Sequence, residues 1–365
     1  MLNEDYMKLA LRLARKGLGK TSPNPMVGAI IVKDNQIIGR GYHHSFGGKH
    51  AEINAIENAG ESIDGAALYV TLEPCSYHGK TPPCVDAIIG NNVGRVVIGT
   101  LDPNPLVSGK GAEILRRHGI ETEVGVLEEE CRSLNEAHFK YMTTGMPLVT
   151  VKFAQTLDGR IATATGDSQW ISSAESQRLA HKLRATNDAI MVGIGTILAD
   201  DPQLTVRLVK GRNPSRIILD SRSRIPLDSK IVRSQGAAPT IIATTSRADK
   251  EKLSRLREMG IEVLVTREDE AGEIDLCHLF RTLGQRGISS VLVEGGAGVI
   301  TSLLRRNLAD KLVIIIAPKI MGKGTEAVGE LNITDVNQAL KLTFRKTYRM
   351  GEDLIIEARL ESGWR

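Results

Sequence analysis

His50-Ala51-Glu52, followed by Glu73-Pro74-Cys75-Ser76-Tyr77-His78-Gly79-Lys80-Thr81-Pro82-Pro83-Cys84, is the stretch from which the rest of the chain is read. It offers one imidazole and two thiolates to a single metal, with the Glu52 carboxylate two residues beyond the imidazole. Three soft or borderline donors hold Zn²⁺ tetrahedrally with the fourth position open, as at a catalytic site. Zinc brings the pKa of a bound water towards neutrality, and a carboxylate that is not a ligand can carry that water's proton to a departing amine. The arrangement follows the H-x-E and P-C elements of zinc-dependent deaminases of heterocyclic amines. It departs from them in one respect: eight residues, not two, separate Cys75 from Cys84. A closed structural zinc site is the alternative, with His43, His44 and His78 as candidate fourth ligands. Glu52 argues against it, since a closed site has no proton to move.

Working outward, Tyr6, Leu9, Ala10, Leu13 and Ala14 recur at helical spacing up to Gly17. Strands are predicted over 27–33 and 36–42 around the turn Asp34-Asn35, then a helix from His50 to about 59 and a strand over 68–72. A helix from Pro83, a strand over 96–99 and helices near 112–118 and over 127–142 complete an α/β set. The metal ligands thus fall at two helix starts, where the positive helix end favours thiolate. Residues 143–147 read as a linker, because glycine and proline break a helix just before a new strand. Strands are then predicted over 148–154, 189–192, 216–220, 240–245, 262–266, 290–294 and 311–317, with helices between them. Runs over 342–348 and 354–360 predict a closing hairpin on a mixed sheet.

With 365 residues, 41% hydrophobic and 25% charged, the chain has room for two ordinary domains. A net charge of +4 and no Lys/Arg run longer than two speak against nucleic-acid or membrane-surface binding. The acidic start and the lack of a long apolar run predict neither a signal peptide nor a membrane span. Four cysteines make no disulfide framework, so a cytoplasmic location is expected.

The 73–84 motif, with Ser22-Pro23-Asn24-Pro25-Met26-Val27-Gly28 upstream and Asp102-Pro103-Asn104-Pro105 downstream, resembles the deaminase half of the bifunctional deaminase/reductase family of riboflavin biosynthesis. The resemblance continues through residues 151–162, Gly166-Asp167-Ser168-Gln169-Trp170-Ile171, residues 200–207 and Glu294-Gly295-Gly296. Gln155-Thr156 stands where Ala-Ser is expected, a mild change. The resemblance implies a cytidine-deaminase-like three-layer αβα domain over 1–145 and a dihydrofolate-reductase-like α/β domain over 147–365. It also implies Zn²⁺ and NADPH as cofactors, a pyrimidine ribosyl phosphate as substrate, no nucleic-acid or membrane partner, and a homo-oligomer, dimer or tetramer.

By position in that family, Asn24, His43, Lys80, Asp102 and Asn104 would bind the first substrate. Asn24 and Asn104 are each flanked by prolines, which stiffen the backbone; Asn-Pro is also an ordinary turn signal. In the second half, Ala154, Trp170, Thr196, Asp200, Ser221 and the turn Gly296-Ala297-Gly298 would contact NADPH. That turn joins a strand to a helix, a common feature that also suits a pyrophosphate. Ser168, Arg184, Leu204, Arg207 and Glu294 would contact the second substrate, with Lys152 as polarising or proton-donating group. Either arginine could equally be a solvated charge. Three rival readings remain: a nucleic-acid-editing deaminase, disfavoured by 4% aromatics; a deaminase whose second half only binds or oligomerises; and a structural zinc protein.

Overall fold

The structure is a computed structural model that describes residues 2–78, 82–105 and 107–361. The chain forms two compact units, Met1–Gly145 and Met146–Arg365.

In the first unit, β1 (Gly28–Lys33), β2 (Gln36–Tyr42), β3 (Ala67–Val70), β4 (Arg95–Ile98) and β5 (Glu121–Val124) form one sheet in the order β2-β1-β3-β4-β5. The β2-β1-β3 pairs are antiparallel and β3-β4-β5 parallel. Side chains alternate between faces, as the pleat requires. Ala29, Ile31, Leu68 and Ile98 pack on Ala51 and Ala55 of α2 (Ala51–Glu57), on Val85 and Ile88 of α3 (Cys84–Gly90), and on Leu115 of α4 (Lys110–Arg117). Ile30, Val32, Tyr69 and Val97 face the other way, onto Met7, Ala10 and Leu11 of α1 (Asn3–Ala14) and Cys131 of α5 (Glu128–Leu134). The result is the three-layer αβα arrangement. Gly41 brings α2 close: a Cβ there would lie 2.2 Å from the Ala51 carbonyl oxygen. That approach fixes where His50 and Glu52 stand.

Two details differ from the sequence-based expectation. The helix expected over 127–142 is two helices, α5 and α6 (Glu136–Thr144), parted at Asn135. The Asn135 amide accepts from the Met26 backbone N–H (2.8 Å) and donates to the Met26 carbonyl (2.9 Å), so its residue is drawn off the helical path. Strand β5 was not expected, because Glu121-Thr-Glu-Val124 carries little apolar signal at a sheet edge.

The second unit is built on a nine-stranded sheet, in the order β11-β10-β9-β8-β12-β6-β13-β16-β15. Its strands are β6 (Leu148–Thr156), β8 (Ala189–Gly193), β9 (Ser215–Leu219), β10 (Thr240–Thr244), β11 (Glu262–Val265), β12 (Ser290–Val293), β13 (Lys311–Ala317), β15 (Leu342–Met350) and β16 (Asp353–Leu360). From β11 to β13 all neighbours are parallel; β16 and β15 add the antiparallel closing hairpin. β7 (Arg160–Thr163) and β14 (Gly324–Glu326) make a small separate ribbon, unexpected from sequence because both are short and polar. One face of the large sheet packs on Leu279, Phe280 and Leu283 of α11 (Leu276–Gln285) and Ile300 and Leu303 of α12 (Ala297–Arg305). The other packs on Ile231 of α9 (Lys230–Arg233) and on Leu253 and Leu256 of α10 (Lys250–Glu258). α7 (Ala174–Thr186) and α8 (Ile194–Asp200) flank β8 in sequence. The chain winds outward from β8 to β11, returns to place β12 between β8 and β6, and goes on to β13. Such a reversal opens a crevice at the strand C-terminal ends, where ligands bind in open α/β sheets.

Candidate active sites

In the first unit, His50 is the N-cap of α2, Cys84 begins α3, and Cys75 lies in the loop after β3. Their ligating atoms lie within 4.8 Å of one another. His50 Nδ1 is 3.2 Å from Cys84 Sγ and 3.5 Å from Cys75 Sγ, and the Cys84 backbone N–H donates to Cys75 Sγ at 3.3 Å. The hydrogen bond from the Cys84 thiol, above all, draws the Cys75 pKa down to about 4. A thiolate beside a second thiol and an imidazole nitrogen is a donor set that zinc fits. Among the described residues no fourth ligand joins the group. His43 is not one: its Nδ1 faces the Lys49 carbonyl (3.0 Å) and its Nε2 the Asn24 side-chain amide (3.1 Å). His44 and His78 are exposed.

Glu52 is 3% exposed, in the first turn of α2. Burial raises its pKa, only partly opposed by the His50 charge, so the carboxyl takes up a proton more readily than an exposed one. It lines a cavity of about 110 Å³ with Asn24, His43, His50, Cys75, Asp102 and Asn104. Burial also lowers the His43 pKa. With Nδ1–H donated to Lys49, the neutral ring accepts from Asn24 at Nε2, which leaves the Asn24 carbonyl oxygen for the cavity. Lys80 lies outside the described residues.

Two residues here were missed by sequence reasoning. Glu73 was quoted only as part of the motif, yet its buried carboxylate accepts from the backbone N–H groups of Asp102 (3.2 Å), Gly109 (2.9 Å) and Ala112 (3.1 Å). It ties the loop carrying Asp102 and Asn104, and the start of α4, to the Pro74-Cys75 turn. Gly111 permits this packing, since a Cβ there would meet the Pro74 carbonyl oxygen at 2.2 Å. His138, on α6, places Nε2 3.3 Å from Asp102 Oδ1, which also accepts from the Asn104 N–H at 2.8 Å. Glu73→Ala is expected to cost about 3 kcal/mol, by stranding buried N–H groups that were bound to a charge. Thermal denaturation should show the loss, together with a raised KM for the first reaction.

In the second unit a cavity of about 620 Å³ opens at the C-terminal ends of β6, β12, β8 and β9. Lys152, Ala154 and Ser168 line it, as do Thr196, Asp200, Ser221 and Glu294. Gly296, Ala297 and Gly298 bring the N-terminus of α12 to its wall. Burial lowers the Lys152 pKa; Glu294 opposes this and Arg184 adds to it. Burial also works against the Glu294 carboxylate, but the Arg184 guanidinium outweighs it and holds Glu294 at about 2.

Four of the residues expected around this site line no part of the cavity. Arg184, offered as a phosphate ligand, has its fork occupied: Nε and one terminal nitrogen donate to the two Glu294 oxygens at 2.8 Å each, and the other to the Thr205 carbonyl at 3.2 Å. Leu204 is 3% exposed, with its side chain in the core, so only its backbone is available to a ligand. Arg207 is exposed; it donates to Thr205 Oγ1 (2.8 Å) and Gln203 (3.2 Å). Trp170 is 68% exposed and is not a core residue. Sequence reasoning also missed His181, whose Nδ1 accepts the Arg207 backbone N–H at 2.9 Å and so holds the turn after Leu204. Glu273 and Arg224, at the cavity wall with Ser221, were missed as well.

A zinc-thiolate deaminase unit followed by a doubly wound, dinucleotide-type α/β unit is the class of protein that fold and sites define. Comparison with known proteins agrees: residues 1–100 match the cytidine and deoxycytidylate deaminase zinc-binding region, and residues 147–356 match the RibD C-terminal domain. The riboflavin biosynthesis protein RibD of Aquifex aeolicus is 48% identical over 97% of this chain and 98% of its own; that of Escherichia coli is 39% identical over 98% and 99%. The crystal structure of a diaminohydroxyphosphoribosylaminopyrimidine deaminase/5-amino-6-(5-phosphoribosylamino)uracil reductase from Thermotoga maritima is 41% identical, with a TM-score of 0.86 over 98% of both chains. The chain belongs to the RibD family of riboflavin-biosynthesis proteins. Its cofactors are zinc and NADPH, and the thiolate-imidazole set of the first unit is a group that could hold the metal. Among the described residues, no helix is long and apolar enough to cross a membrane.

Proposed function

We propose that the first unit hydrolyses the 2-amino group of 2,5-diamino-6-ribosylamino-4(3H)-pyrimidinone 5′-phosphate, and that the second reduces the ribosyl group of the product to ribityl. The observation that carries the first step is a buried carboxyl, Glu52, in one small cavity with a three-donor metal set. Zinc held by His50, Cys75 and Cys84 would supply Lewis acidity that makes water nucleophilic at neutral pH. Glu52 takes the proton from the attacking water and delivers it to the departing amine, so that one water is consumed and one ammonia released. Asn24 and Asn104 meet the edge of the ring. His43 fixes the orientation of the Asn24 amide, and Asp102 is braced by His138. Lys80, within the family motif, adds positive charge.

In the second unit NADPH would supply a hydride, received at C1′ of the ring-opened sugar. Lys152 holds the proton needed on the neighbouring heteroatom, and the Glu294 carboxylate favours its ammonium form against burial and the Arg184 charge. Ser168 and the backbone at Leu204 position the substrate. Arg207 is the better phosphate ligand of the two arginines, being exposed and not bound to a carboxylate. Thr196, Asp200, Ser221, Ala154 and the turn from Gly296 hold the cofactor, with Trp170 covering it from outside.

The assembly is a homo-oligomer, dimer or tetramer. Strand β15 supports this: it is a nine-residue edge strand, largely exposed, that carries Phe344. Four free cysteines suit the reducing cytoplasm. Stripping zinc with a chelator tests the division of labour. Ammonia release is expected to stop and to return with added zinc, while reduction of the deaminated pyrimidine continues; ammonia release that survives complete metal removal contradicts the reading.

A further inference from the structure

Ser221, Arg224 and Glu273 stand together on the wall of the second cavity, and the reaction described above uses neither Arg224 nor Glu273. Ser221 follows β9 and donates its hydroxyl to a Glu273 carboxylate oxygen at 2.5 Å. Glu273 is exposed, but its backbone is fixed: its N–H donates to Asp269 Oδ1 (2.9 Å), and its carbonyl accepts the Asp269 N–H (2.8 Å). Arg224 is also exposed and is held only loosely, with Nε 3.5 Å from Asp220 Oδ1.

The order of strands says which part of a dinucleotide reaches them. Lys152 lies on β6, the glycine turn follows β12, Thr196 follows β8, and Ser221 follows β9, so the four are successive positions along one sheet edge. Three strand spacings separate the ends by about 14 Å, comparable with the span from nicotinamide to adenosine ribose in an extended dinucleotide. With the reacting ring at Lys152 and the pyrophosphate at the start of α12, the adenosine ribose falls at Ser221, Arg224 and Glu273. A guanidinium there matches a 2′-phosphate, whereas a carboxylate accepts a free 2′-hydroxyl and repels the phosphate.

We propose that Arg224 and Glu273 set the choice between NADPH and NADH in opposition: Arg224, with the Ser221 hydroxyl, holds the 2′-phosphate, and Glu273 works against it. The inference rests on the cofactor reading given above and adds its discriminating residues. On binding the phosphate, Ser221 exchanges Glu273 for a phosphate oxygen, and the exposed Glu273 side chain turns to solvent.

Isothermal titration of NADP⁺ and NAD⁺ into the zinc-loaded protein tests this without any turnover. Arg224→Ala is expected to weaken NADP⁺ about ten- to a hundredfold, as for loss of a hydrogen bond to a charged group. Its affinity for NAD⁺, unchanged within about twofold, reports that the site is intact. Glu273→Gln is expected to tighten NADP⁺ about two- to fivefold, the scale of an exposed charge interaction, and not to tighten NAD⁺. Arg224→Ala weakening both dinucleotides equally, or neither, overturns the proposal, as does Glu273→Gln with unchanged NADP⁺ affinity. A wild-type protein that binds neither dinucleotide defeats the cofactor reading itself, and this inference with it.

Discussion

Glu52→Gln is expected to lower ammonia release about 10³-fold while zinc content and the reductase reaction stay at wild-type levels. The substitution keeps the shape of the buried side chain and takes away only the ability to carry a proton. Burial has already brought this carboxyl towards the pH range in which a proton can be taken up and given back. It is not a ligand of the His50-Cys75-Cys84 group, so metal content should be indifferent to the change. Metal analysis beside an ammonia assay checks both halves. A variant that loses zinc as well as activity would make Glu52 part of the metal's support, and a variant that keeps full activity would remove it from the mechanism.

The second large effect falls on the other unit. Lys152→Met should lower the rate of reduction at least about 10²-fold, with ammonia release unchanged and NADP⁺ affinity altered little. The pH profile carries the sign. Burial first lowers the Lys152 pKa, and Glu294 raises it. With the ammonium as the working form, wild-type reduction falls as pH rises through a value below the ordinary lysine range. Glu294→Gln removes the raising charge and leaves Arg184 uncompensated beside the amine, so the falling limb moves to lower pH. Rates between pH 6 and 10 on the deaminated substrate would show this; a limb that stays put or moves up would contradict it.

Legibility in the sequence followed the range over which each interaction acts. The zinc set was readable because its chemistry dictates residue type and because each ligand sits at a helix start or a proline-marked turn. Parallel strands of the second unit were readable as short apolar runs buried on both faces. Strands β5, β7 and β14 were not, since short polar edges carry no such signal. The Asn135 break escaped because its cause, the Met26 backbone, is 109 residues away. Arg184 shows the same limit in the active site: its residue type suited a phosphate, but a carboxylate 110 positions on already holds its fork. Glu73 stood inside the quoted motif, and its type gave no hint that it would bind backbone instead of substrate. Arg224 had only the short basic run Arg222-Ser-Arg224 after a strand to mark it.

The most direct test of two sequential activities in one chain is mass spectrometry of the diaminopyrimidine ribosyl phosphate incubated with zinc-loaded protein, with and without NADPH. Exchange of one amino group for oxygen is expected without NADPH, and that same exchange followed by gain of two hydrogens with it. No change in either mixture, or reduction of a pyrimidine that still carries both amino groups, would contradict it.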